Sequence, residues 1–548
     1  MVPASLLVAA PRLAALGLLA SFPGLALLAS GPARAAEQLE VRLDQLRLPL
    51  DLRDLEQWSR EPERPPGDLA VWVDLIEPSS RRDLLRLLRA PLVRDRSLGQ
   101  QLLQSWAGQR VLDEVGDLID AGQPGKTGPL LLGAMQRLLE RQSHVTTIEL
   151  LRAVPVQQLS LDLDGLLELA AGWRHQIQRQ RRGLGALRRL ELPERGPLLP
   201  LTDGADLRPD PAPSRPRGRA KGAPALAPRS LELTVAHRPA PLRLQLWQPR
   251  RLATPPGPWV LLMPGLGGSP AQLEWLAGAL AQRGWPVLVL DHPDSGEAAL
   301  RDLLDGRAAP PGAETLPDRL RDIQAVVAAE HDGRLPPLGE SVVLMGHSLG
   351  GLATLLAAGL RPEPGLARRC ERALDGIPLT NLSRLLQCQL TQVALPPPRP
   401  LDESLAGVVS FNGFGSLLWP HRGLGRLGVP ALLVGGSLDL VTPPLSEQLE
   451  LFLPAARPMD RLALVEGGSH FSPVRIRGGD QALFRLGDGL VGLQPERVQA
   501  LLLSLSSEFL QGLPQGRAIP VQRRQLDGVT AYVLDREAAR RWWDGVRP

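Results

Sequence analysis

The sequence predicts an α/β fold with a mostly parallel sheet, preceded by a small all-α domain. Three observations carry this. Past Ser230, short uninterrupted apolar runs recur at Trp259 to Met263, Val287 to Leu290, Val342 to Met345, Gly407 to Val409, Ala431 to Val434 and Leu462 to Val465. Runs that are apolar at every position fit strands buried on both faces of a parallel sheet. Predicted helices separate them at Pro270–Arg283, Leu316–Glu330, Leu349–Leu360 and Pro495–Leu510, and strands alternating with helices mean α/β. Nearer the amino terminus the apolar spacing is three and four instead. Leu84, Leu85, Leu87 and Leu88 mark one helical face, and Leu131, Leu132, Met135, Leu138 and Leu139 mark another.

Taken in order, residues 1–36 read as a secretory signal. Leu13 to Ser30 is apolar apart from small residues, Arg12 precedes it, and Ala33-Arg34-Ala35-Ala36 offers a cleavage site after Ala35 or Ala36. An uncleaved membrane anchor is the alternative, since such a run could just span a bilayer. With no cysteine nearby, a lipoprotein anchor is excluded. Residues 37–165 read as short helices broken at Pro91, Gly122 to Gly128 and Pro155. Within them, Gly125-Lys126-Thr127 resembles a nucleotide-binding loop, but Asp120 stands where that loop needs its first glycine, and no buried strand precedes it. A turn between helices is the better reading.

Residues 166–229 comprise a basic helix and a linker. The arginine cluster between Trp173 and Arg182 reads as a solvated helix end, with anionic lipid or nucleic acid as the alternative contact. Pro197 to Arg229 is rich in proline and charge and lacks core-forming residues. Residues 230–515 hold the α/β pattern, opening on Leu-Glu-Leu-Thr-Val and Leu-Arg-Leu-Gln-Leu-Trp, which alternate like paired antiparallel strands. Residues 516–548 read as a carboxy-terminal extension. The 62 basic and 58 acidic residues nearly cancel, which argues against nucleic acid as a partner. Cys370 and Cys388 are the two cysteines, and in an exported chain they can close a disulfide or remain two buried thiols.

The chemistry centres on Gly346-His347-Ser348-Leu349-Gly350. G-x-S-x-G alone is a weak pattern in a chain with 55 glycines. Here, however, Ser348 directly follows an apolar strand and opens a helix, the context that a nucleophile elbow requires. A serine hydroxyl needs a base and a group that orients the base. Asp439 and His470 each follow a later apolar strand, in the chain order Ser, Asp, His, at carboxyl ends where the loops of an open sheet converge. Taken singly, Asp439 could be a turn residue capping the helix near Pro444, and His470 a surface loop residue. Asp291 and Asp294 are rival acids; His292 is a rival histidine but breaks the order. The negative charge of a tetrahedral intermediate needs backbone N–H donors, expected from Leu349 and from Leu266 in the Pro264–Gly268 turn.

On these residues, 230–515 resembles an α/β-hydrolase. Met263-Pro-Gly-Leu-Gly-Gly-Ser-Pro270, followed by Val289-Leu-Asp-His-Pro-Asp-Ser-Gly296, is similar to the branch of platelet-activating-factor acetylhydrolases and dienelactone-hydrolase-like esterases. With its signal and helical domain, the whole chain resembles cyanobacterial exported hydrolases whose amino-terminal domain has no assigned function. The resemblance implies an ester hydrolase and a cyanobacterial source. Two positions depart from it. Pro264 stands where the family often has histidine, and Asn412 stands where the acetylhydrolase branch has its acid, which favours Asp439 and does not carry over the phospholipid substrate. Residues 362–405 read as an inserted lid, with Leu382, Leu385 and Leu386 as an apolar lining.

The expectation is therefore a serine esterase acting on a small hydrophobic or lipid-like ester, with no cofactor or metal, a contact with a membrane surface left open and the oligomeric state unread. It would be exported to the periplasm or thylakoid lumen. A thioesterase or lactonase with the same triad is one rival, and a non-catalytic envelope-binding protein on a hydrolase scaffold is another. If the linker is a flexible tether, a form starting near Ala223 should fold and hydrolyse a small ester.

Overall fold

The computed structural model describes residues 36–75, 77–89, 91–93, 105–122, 127–142, 144–195, 226–249, 257–305, 307–374, 381–397, 401, 404–475 and 495–547. The predicted signal and most of the predicted linker lie outside them. Among the described residues, no helix is long and apolar enough to cross a membrane.

The amino-terminal domain is not all-helical, and that expectation is corrected. Gln38–Leu43 (β1) and Leu46–Asp51 (β2) form an antiparallel hairpin, and they are followed by Pro91–Val93 (β3), Ile119–Asp120 (β4), Val145–Thr146 (β5) and Gln158–Asp162 (β6). β6 lies parallel to β1 and antiparallel to β4, giving a mixed sheet of order β2-β1-β6-β4, while β3 pairs with β5. Leu39, Val41 and Leu43 do alternate with polar residues. Leucine and arginine are also strong helix formers, so strand partners distant in sequence decide the outcome. Around this sheet, Leu52, Trp58, Leu131, Leu139 and Leu159 are buried in a core separate from the rest. Thr127 of the rejected loop begins the helix Thr127–Arg141, and its hydroxyl accepts the Ala121 N–H at 3.1 Å, as a turn between elements would have it.

A second sheet dominates the molecule. Its strands are Glu194–Arg195 (β7), Arg229–Leu233 (β8), Leu242–Trp247 (β9), Trp259–Met263 (β10), Val287–Asp291 (β11), Val342–His347 (β12), Leu405–Phe411 (β13), Ala431–Gly436 (β14), Arg461–Val465 (β15), Gln522–Leu526 (β16) and Val529–Leu534 (β17). Their order is β7-β16-β17-β15-β14-β13-β12-β10-β11-β9-β8. The six strands from β11 to β15 in that order are parallel, flanked by antiparallel β9 and β8 on one side and antiparallel β17 and β16 on the other. Both faces are buried. On β10, Trp259, Leu261 and Met263 enter one apolar layer with Leu320 and Leu352, whereas Val260 and Leu262 enter the other with Leu276 and Leu505. That is why the central strands read as unbroken apolar runs.

The boundaries drawn at 166–229 and 516–548 also change. The basic helix is Leu163–Arg188, and its far end is part of the hydrolase core, where Ala186 and Leu187 are buried. It packs on the helix Arg536–Val546 from the supposed extension: Trp542 Nε1 donates to Gly183 O at 2.8 Å. A Cβ on Gly183 would stand 2.8 Å from Leu445 Cδ1, so a side chain there would push that leucine aside. From the arginine cluster, Arg179 pairs with Glu450 at 3.3 Å and lies over the Trp543 ring, while Arg174, Arg181 and Arg182 are exposed. β7 then pairs with β16.

A form starting at Ala223 therefore loses Leu187 from the core and uncovers Trp542, at a cost of about 2 kcal/mol for each side chain. Against a domain stability of about 5–15 kcal/mol, it is expected to melt roughly 10 °C below a form starting at Gln158. Thermal circular dichroism of the two forms checks this, and equal melting would restore the passive tether.

Candidate active site

Ser348 sits between the end of β12 and the helix Leu349–Ala357 with φ 55° and ψ −117°, left-handed backbone that L side chains rarely adopt. Its N–H donates to Phe411 O at 2.9 Å, which anchors the turn to the neighbouring strand. The flanking glycines are steric necessities. A Cβ on Gly346 would run into the Gly350 carbonyl, and one on Gly350 would stand 2.5 Å from Met263 O and 2.7 Å from Pro264 O.

The structure brings Asp439 and His470 to this serine. Asp439 follows β14, His470 follows β15, and all three residues are buried. His470 Nε2 lies 3.0 Å from Ser348 Oγ, and His470 Nδ1 lies 2.9 Å from Asp439 Oδ2. Burial opposes ionisation of Asp439. The His470 ring and hydrogen bonds from Thr442 outweigh it, holding the carboxyl below its usual range. An ionised carboxylate only accepts, so the imidazole proton belongs on Nδ1 and leaves Nε2 free to accept from the serine hydroxyl.

Sequence reading missed the residues that support the acid. Asp439 Oδ1 accepts the Val441 and Thr442 N–H groups at 2.8 and 2.7 Å. The turn considered for this residue thus coexists with the contact to histidine, but it does not cap the helix Leu445–Leu449, which has no side-chain cap. Oδ2 accepts from Thr442 Oγ1 and from Asn412 Nδ2, both at 2.6 Å. Asn412 holds a positive φ of 49° at the end of β13 and reaches the carboxylate from there. Asp-x-x-Thr was a readable turn signal; the cross-strand amide was not. His347 donates from Nε2 to His470 O at 2.8 Å, and burial first, then the His470 charge, pushes its pKa down to about 3. It stays neutral and holds the base's backbone in place.

The rivals lie elsewhere. His292 Nδ1 bonds Asp322 Oδ2 at 2.9 Å, and burial pushes its pKa down to about 4. Asp294 pairs with Arg238. Asp291 is half-buried at the end of β11, and burial raises its pKa. None of the three is bonded to His470.

Gly265 passes directly over the serine, and a Cβ there would stand 3.2 Å from Ser348 Cβ. Leu349 supplies the first N–H of its helix, at the positive end of the dipole. Among the described residues, neither the Leu266 nor the Leu349 N–H donates to a protein acceptor. Backbone N–H groups without a protein acceptor, one directly after the nucleophile and one in the turn against it, are the kind of donor that stabilises an oxyanion.

Cys370 and Cys388 form a disulfide with a Cα–Cα distance of 5.4 Å, tying the helices Leu366–Ala373 and Ser383–Gln389 of the predicted lid. The apolar lining needs correction. Leu385 packs on the disulfide cluster and Leu386 on the main core, because the disulfide and Gln387 turn that face of the short helix inward. Leu382 is exposed, as is Leu438 beside the acid, and the two segments are joined by Ser383 N–H donating to Val441 O at 3.0 Å.

Comparison with known proteins adds two similarities. The family described as "Alpha/beta hydrolase of unknown function (DUF1400)" matches residues 35–162, the domain that precedes the large sheet. Cutinase 2 of Thermobifida cellulosilytica is 25% identical over 222 residues, 39% of this chain and 60% of that relative. Together with the sheet, these support an α/β-hydrolase. The match spans less than two thirds of the cutinase, so the likeness bears on the reaction class and not on that enzyme's substrate. It points to a hydrolase.

Proposed function

We propose that the protein is a serine hydrolase that cleaves a carboxylic ester of a hydrophobic or lipid-like substrate through an acyl-enzyme. The observation that carries this is the continuous hydrogen-bonded path from Ser348 Oγ through His470 to Asp439. Ser348 Oγ attacks the ester carbonyl while His470 Nε2 takes its proton and Asp439 supports the imidazolium. The Leu266 and Leu349 N–H groups hold the oxyanion. His470 then protonates the departing alcohol, and water, deprotonated by the same nitrogen, hydrolyses the acyl-serine. Similarity to a cutinase supports ester bonds as the target. Exposed Leu382 and Leu438 beside the acid support an apolar acyl group. The disulfide supports an exported protein in an oxidising compartment.

Each methylene that leaves water gains about 0.8 kcal/mol, or roughly fourfold in kcat/KM. p-Nitrophenyl butyrate, two methylenes longer, is thus expected to turn over about fifteenfold faster than the acetate at low substrate concentration. A flat acyl-chain profile would remove the hydrophobic substrate from the proposal, and hydrolysis confined to thioesters or lactones would replace the ester.

A further inference from the structure

Arg319, on the helix Leu316–His331, is completely buried and points its guanidinium at the loop that carries Leu266. Nη1 donates to Pro264 O at 2.9 Å and Nη2 to Gly265 O at 3.0 Å. Nε donates to Ser295 Oγ at 2.6 Å, and Nη2 also reaches Ser295 O at 3.4 Å. Ser295 O in turn accepts the Gly267 N–H at 2.7 Å. One side chain therefore ties the Pro264–Gly268 turn to the loop after β11. Every one of these acceptors is neutral, and among the described residues no carboxylate lies within ion-pair distance of Arg319. Asp322, one turn along the helix, is instead shared by His237, Arg238 and His292.

The direction of these bonds matters. In a trans peptide the C=O of one residue and the N–H of the next point opposite ways. Fixing the Pro264 and Gly265 carbonyls on Arg319 therefore turns the Gly265 and Leu266 N–H groups away from it. The turn lies against the nucleophile, as the 3.2 Å from a Gly265 Cβ to Ser348 Cβ records. We propose that Arg319 is a positioning residue for the reaction: by gripping the carbonyl side of the Pro264–Leu266 peptides, it aims the Leu266 N–H at the oxyanion and places a fixed positive charge behind it. This rests on the serine-hydrolase reading above. Burial pushes the guanidinium pKa down to about 9, with Asp322 opposing, so the group remains charged at neutral pH. A charge held in a low-dielectric interior acts on developing charge more strongly than one in water.

Arg319→Met keeps most of the volume and removes every donor, whereas Arg319→Lys keeps the charge but gathers its donors on one nitrogen in place of the planar fork. The test measures kcat, KM, fluorophosphonate labelling, and affinity for a trifluoromethyl ketone that adds to the serine as a tetrahedral oxyanion. In Arg319→Met, kcat is expected to fall about 10²-fold with KM within threefold, the scale for losing one oxyanion donor. Ketone affinity should fall by the same factor, while phosphonate labelling still goes to completion, more slowly. Arg319→Lys should recover part of both losses, and it carries the test if the methionine variant does not fold. A folded variant with kcat and ketone affinity within twofold of the unsubstituted protein would overturn the proposal. So would a fall in kcat with ketone affinity unchanged, which would mark a role outside the oxyanion. If the unsubstituted protein takes no phosphonate at all, the hydrolase reading itself fails, a result distinct from either.

Discussion

Ser348→Ala is expected to abolish fluorophosphonate labelling and to lower kcat on p-nitrophenyl butyrate by on the order of 10⁶-fold. The size follows from the triad's acting as a unit. Without Oγ there is no atom to accept the acyl group, and His470 Nε2, 3.0 Å from that oxygen, has no proton to take. Residual turnover would come from the Leu266 and Leu349 donors acting on water attack. The variant should fold as well as the parent, because the turn is held by the Ser348 N–H on Phe411 O, which alanine keeps. Alanine has no easier access to φ 55° than serine, so the strain is unchanged. A folded Ser348→Ala protein that still takes phosphonate would place the nucleophile elsewhere.

Asp439→Asn is expected to cost roughly 10⁴-fold in kcat. The carboxylate accepts from Val441, Thr442, Asn412 and His470 and is fully enclosed. An amide has one oxygen to offer and would turn its NH₂ toward donors. If that NH₂ faces His470, Nδ1 must accept and Nε2 must carry the proton, which is the wrong tautomer for a base. If it faces the Val441 and Thr442 N–H groups, two buried donors are left unsatisfied, at about 1–3 kcal/mol each. Activity and melting temperature should fall together. Asp291→Asn and Asp294→Asn should leave kcat nearly unchanged, since neither carboxyl is bonded to His470. An equal loss in either would name a different acid.

What could be read from the sequence divides along a physical line. β10 to β15 were readable because burial on both faces writes itself into consecutive residues, and Ser348 because Gly346 and Gly350 are forced by contacts within one short stretch and its neighbouring turn. The β1–β2 hairpin went unread because its leucines and arginines favour either structure, and β6, more than a hundred residues away, settles the matter. The pairing of β17 with β15 went unread for another reason: Val-Thr-Ala-Tyr-Val-Leu suits a strand, but nothing in it names the edge it joins. Asn412 stood out only as the wrong residue for an acid, since an amide that serves a carboxylate from another strand leaves no spacing to detect. Arg319 gave no signal at all: one arginine among many becomes distinctive only when its acceptors are seen to be the carbonyls beside Ser348.

The closing of the large sheet by β16, β17 and the helix Arg536–Val546 bears on how the molecule is made. β10 to β15 precede residues 522–546 in the chain, so a sheet formed without the carboxy-terminal segment has the edge of β15 open. That edge reads Leu462-Ala463-Leu464-Val465, apolar on both faces, and a bare strand of this kind templates pairing with other chains. The contact that seals the far layer, Trp542 on Gly183, spans 359 positions, and closures of such length are slow. A chain cut short of Val529 would keep the edge of β15 bare, and it is expected to aggregate before it merely loses stability.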